Sequence, residues 1–93
     1  MDYDKAARQT RNVAYIQRKN WRDPPCPEMS FEHIDDMMHR WSNEMSDTKK
    51  CRWLGWMQAT VVAMTYPYTS LDTMKELNKL CRHTAKGATI DGG

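Results

Sequence analysis

Residues 53–64 read W-L-G-W-M-Q-A-T-V-V-A-M, and whether this run is a helix or a buried strand decides the fold. Val61 and Val62 favour a strand through their branching at Cβ. The run is longer than an ordinary strand, however, and Leu54, Met57, Val61 and Met64 fall at steps of three and four, the period of a helix face. The spacing predicts a helix from about Lys49 to Met64. From Trp53 onward it is apolar almost all round, which predicts a central helix contacted on several sides. Gly55 costs roughly 1 kcal/mol relative to alanine inside a helix, and the expected compensation is close approach by another helix. Trp53, Leu54 and Met57 are expected inside, with Gln58 satisfying an indole or backbone group nearby. Trp56 is the tryptophan of this run expected to reach the outside.

Beyond this helix, T-Y-P-Y-T-S breaks the chain at Pro67. Thr69 with Asp72, or Ser70 alone, then caps a fourth helix. Its predicted core stripe is Leu71, Met74, Leu77 and Cys81, helped by Leu80. Residues 84–93, ending T-I-D-G-G, read as a flexible tail. Before the central run, Ser46 to Thr48 supply a cap. Lys49 and Lys50 at the start of the helix oppose its dipole, and Glu44 or Asp47 is expected to offset them. The second helix is the clearest amphipathic unit: Phe31, Ile34, Met38, Trp41 and Met45 form one apolar seam, and Ser30 is its cap. Glu32, Asp35, Asp36, His39 and Asn43 lie away from the seam as an acidic face.

Residues 23–30, D-P-P-C-P-E-M-S, stop a helix and predict a stiff, extended connection. Residues 1–22 hold neither proline nor glycine and predict a first helix. Its apolar stripe is thin: Tyr3, Ala7, Thr10 and Ala14, with Ala6, Val13 and Ile16 beside it. Such a stripe predicts weak docking. The expected fold class is therefore all-α, a small helical bundle of three core helices over residues 31–83 plus a weaker, basic N-terminal helical arm.

Composition bounds the function. Ninety-three residues suit one domain, and a chain this short buries only about 60–65% of its unfolded surface. Eight methionines and four tryptophans accompany a single phenylalanine. Both overused residues serve irregular cores and partner surfaces. The net charge of +2 hides a strong pattern. Residues 1–22 carry six basic and two acidic groups, residues 23–48 one and seven, and residues 49–93 seven and three. No secretory signal is visible, and the longest apolar run is too short to span a bilayer. Three widely spaced cysteines read as reduced thiols. A cytoplasmic protein is expected.

Chemical motifs are sparse. Cys26, Cys51, Cys81, His33, His39 and His83 lack the close paired spacing of structural zinc, so no metal and no cofactor is expected. His33, Asp36 and His39 can neighbour one another on a helix, but no nucleophile, oxyanion site or pocket is signalled beside them. A solvated acidic face accounts for them, and no enzyme is expected. Arg8, Arg11, Tyr15, Arg18 and Arg22 repeat at steps of three, four, three and four. Such a stripe suits phosphates and a stacked base, or equally an acidic protein face, including the chain's own second helix. The candidate partner-binding set is Arg8, Arg11, Tyr15, Arg18, Trp21, Arg22 and Trp56. Binding of another protein is the first expectation, a small nucleic-acid-binding role the alternative, and self-association a third.

The segment C-R-W-L-G-W-M-Q-A, followed after a turn by Y-T-S-L-D-T-M-K-E-L-N-K, resembles small uncharacterised helical accessory proteins of tailed bacteriophages. The resemblance spans roughly residues 37–82 and rests on Arg52 through Gln58 and Ser70 through Leu77. It implies a phage product in the host cytoplasm that binds and modulates or inhibits a host complex, such as a nuclease, recombination or defence complex. It implies no catalytic residue.

Overall fold

The structure, a computed structural model, describes residues 1–82; the tail expected at 84–93 lies outside them. Among the described residues four α-helices occur: α1 (Tyr3–Ile16), α2 (Phe31–Arg40), α3 (Asp47–Thr65) and α4 (Leu71–Leu80). The secondary structure of the described residues is all helical, as the periodicity predicts. Serine caps set three of the helix starts. Ser30, Ser46 and Ser70 accept from the backbone N–H of His33, Lys49 and Thr73. Each thereby satisfies one of the four donors a helix start leaves open. Ser70 and Thr73 form a reciprocal capping box, whereas Thr69 is buried. Asp2 caps α1 through Lys5 N–H.

The helices alternate in direction. Asp2 N–H donates to Cys81 O at one end of the bundle, and Arg22 N–H donates to Met64 O at the other. This makes α1 and α3 parallel, with α2 and α4 running back beside them. The main helix–helix packing all involves α1, which meets α2, α3 and α4. Ala6, Ala7, Thr10 and Ala14 are fully buried. The N-terminal segment is thus the centre of the fold, not a weakly docked arm. Its stripe is thin because three neighbours approach its backbone closely, which small residues permit. Ile16, at its end, is exposed.

Correspondingly, α3 is not surrounded. Lys50, Leu54, Met57, Val61 and Met64 bury one face, with Thr60 and Thr65 beside them; Gly55, Trp56, Ala59 and Ala63 face outward. A side chain at Gly55 would meet nothing within 4 Å, so none of the described helices makes the close approach its glycine predicts. Two further stripes are corrected. The second helix stops at Arg40, and Trp41 is extended at φ −65°, ψ 134°. Met37 is buried there, while Met38 is only partly so. In α4, Met74, Leu77 and Cys81 are buried but Leu71 and Leu80 are exposed.

Candidate functional site

The basic stripe holds together as a helical face only in part, because α1 ends at Ile16 and a 3₁₀ turn, Arg18–Asn20, follows. Its arginines are largely engaged within the molecule. Arg11 Nε lies 2.9 Å from Asp35 Oδ1. Arg18 pairs with Glu32 at 3.3 Å, and its guanidinium sits 4.7 Å from the centre of the Phe31 ring. The sequence alternative in which the first helix meets the acidic face of the second is therefore the one realised. Arg22 donates to Ala63 O at 3.0 Å and to Tyr66 O at 2.6 Å. These are carbonyls at the C-terminus of α3, where a cation is favoured. Among the described residues only Arg8 of the four makes no ion pair or side-chain hydrogen bond. Tyr15 is 58% exposed, with its ring tilted on Phe31.

Tryptophan holds the proline-rich connection. Residues 23–30 are not a plain extended spacer, since Pro27–Met29 form a 3₁₀ turn. Trp21 Nε1 donates to Met29 O at 3.0 Å, and Trp56 Nε1 to Glu28 O at 3.2 Å. Two indoles from opposite sides of the sequence thus fix one turn. Trp21 also meets Phe31 edge to face at 5.8 Å, which makes it a half-buried structural residue. Trp56 keeps 42% exposure.

At the other end of the bundle Asp47 sits in the first turn of α3, as expected, and a polar cluster adds to it. Lys50 is buried and lies 3.0 Å from Asp4 Oδ1; it also donates to Asn43 O. Asp4, not Glu44 or Asp47, is its counter-ion. Trp41 Nε1 donates to the same carboxylate at 2.7 Å. That hydrogen bond, with Lys50 and more distant Arg8, holds the Asp4 carboxyl below its ordinary range against the opposing effect of burial. In mid-bundle, Gln58 and Asn78 exchange amide hydrogen bonds across α3 and α4, and Gln58 also donates to Thr10. Both arrangements hold helices together.

One exposed apolar surface is the outward side of α3 and its border with α2. Trp56, Ala59 and Ala63 are exposed along α3, Val62 partly so, and Tyr66 is exposed just after its end. Beside them a groove of about 430 Å³ separates α3 from α2, with Trp53, Trp56, Met37 and Cys26 in its walls. No family model matches this chain, nor does any curated protein or solved structure.

Among the described residues no three or more His, Cys, Asp or Glu gather as metal ligands would, and no helix is long and apolar enough to cross a membrane. The three cysteines are free thiols. Of the candidate partner residues, Trp56 alone borders the groove. Of the residues that join it, Arg52 and Trp53 lie in the R-W-L-G-W-M-Q stretch that the sequence marks out, whereas Met37 and Arg40 fall off the apolar seam expected for the second helix and carry no signal of their own.

Proposed function

We propose that this protein acts by binding another protein and not by catalysis. The carrying observation is the outward face of α3: a helix apolar almost all round, packed on one side only, that presents Trp56, Ala59 and Ala63 to solvent, with Tyr66 exposed just beyond its end. Exposed aromatic residues grouped on a rigid element are the usual core of a partner surface. The biological setting we propose is that of a phage accessory product in a host cytoplasm, acting on a host complex such as a nuclease, recombination or defence assembly. What supports protein over nucleic acid is the engagement of Arg11, Arg18 and Arg22 by the chain's own acids and carbonyls. Arg11 and Arg22 have little left for phosphate, whereas the Arg18 pair is exposed.

The test is capture from nuclease-treated lysate with the full chain as bait. A stoichiometric protein retained by the wild type and lost with Trp56→Ala and Tyr66→Ala together is the expected result. Absence of such a protein, combined with a salt-sensitive gel shift that Arg8→Glu abolishes, would replace this reading with the nucleic-acid alternative.

A further inference from the structure

The groove between α2 and α3 exists because each helix packs on α1 more than on the other. On α2 its wall is formed at helical spacing by His33, Met37 and Arg40; on α3 by Arg52, Trp53 and Trp56. The middle is apolar: Met37 is 6% exposed, and the two indoles stand opposite it. The ends differ in charge. Glu28 and Cys26 close one end. At the other, cations crowd around a single ring, with the Arg40 guanidinium 5.6 Å and the Lys49 ammonium 5.1 Å from the centre of Trp53.

Arg52 lines the same end and has no carboxylate partner among the described residues. Arg40 has only an exposed i,i+4 pair with Asp36 at 3.0 Å, which is weakly neutralising in water. Two cations over one indole, with Arg52 lining the same groove, repel one another, and an incoming carboxylate relieves that repulsion. The apolar middle asks for something else: a bulky side chain that covers the exposed indole edges.

From this we infer the occupant: an acidic protein segment that seats an apolar side chain between Met37 and the Trp53–Trp56 pair and presents a carboxylate to Arg52 and Arg40. The inference rests on the protein-binding reading and names the partner's chemistry. Glu28 gives it direction, because it disfavours acid at the far end. A nucleic-acid backbone would carry phosphate past both ends and meets Glu28 at one of them.

The experiment pans a displayed library of random short peptides against the full chain. Enriched peptides are then measured by fluorescence polarisation, and the thiols are alkylated with and without peptide. The expected peptides carry Asp or Glu close to a bulky apolar residue. Arg52→Glu weakens them by about tenfold or more, whereas Lys75→Glu on α4 does not. Bound peptide slows alkylation of Cys26, which lines the groove, and leaves exposed Cys51 reactive. Because Arg52 is exposed, its reversal keeps the fold, which circular dichroism verifies.

Basic or uncharged consensus peptides, affinity indifferent to Arg52→Glu, or unprotected Cys26 would each overturn the inference while leaving a captured protein partner in place. Light scattering that finds a dimer whose Cys26 is protected without peptide would overturn it in favour of a second copy. Failure of the lysate capture, by contrast, strikes the protein-binding reading itself.

Discussion

Helices α1 and α3 exchange the roles their compositions suggest. The first carries a thin stripe of alanine and threonine, yet lies at the centre with Ala6, Ala7, Thr10 and Ala14 wholly buried. The third is the most apolar helix, yet turns Trp56, Ala59 and Ala63 to solvent. Apolar content measures how much surface a helix can bury; side-chain size decides how many neighbours can reach it. Small residues let three helices converge on α1, while the bulk of α3 exceeds what its single packed face absorbs.

The largest effect is expected where α1 meets α3 through charge. Lys50→Ala leaves the Asp4 carboxylate without its buried partner and is expected to cost about 3 kcal/mol in denaturant unfolding. That is the low end for a broken buried pair, since Asp4 retains partial exposure. The same site sets an acid limb. Asp4 has a lowered folded-state pKa, so its contribution is intact above the ordinary value of 3.8 and is lost as pH falls through the lower folded-state value. Asp4→Asn is expected to be less stable at neutral pH and to lose less on acidification below that ordinary value. An unchanged acid limb would show that the cluster does not join the two helices energetically.

A smaller effect tests the crowding of α1. Ala14→Leu inserts bulk where no surface is exposed and is expected to cost about 2 kcal/mol. If it is neutral, α1 is not held by close approach. The smallest effect has the opposite sign and probes the open side of α3. Gly55→Ala meets nothing within 4 Å and is expected to stabilise the isolated chain by about 0.5–1 kcal/mol. A loss of stability there would mean that the outward face of α3 is occupied in the isolated chain.

Local signals in the sequence reach the helices themselves. Ser30, Ser46 and Ser70 mark three starts because capping is a contact between near neighbours. The spacing of Leu54, Met57, Val61 and Met64 overrides the strand preference of Val61 and Val62 for the same reason. Long-range pairings leave no such trace. The charge pattern offers the acidic face of the second helix as one partner for Arg11 and Arg18, but nothing near them selects it over a phosphate or another protein, or pairs them with Asp35 and Glu32 in particular. Likewise Trp41 leaves the helical seam to reach Asp4, thirty-seven positions away. The groove is harder still to read, since Met37 and Arg40 acquire meaning only once α2 and α3 stand side by side. Trp56 was accessible to periodicity, but its hydrogen bond to Glu28 O was not.

The central position of α1 also has a consequence for biosynthesis. Each helix it packs against lies later in the chain, and Asp2 N–H closes onto Cys81 O. On a ribosome the most deeply enclosed helix emerges before its enclosure. Completion of the fold must wait until α4 has been made, and a nascent chain stopped in α3 lacks one wall of its own centre.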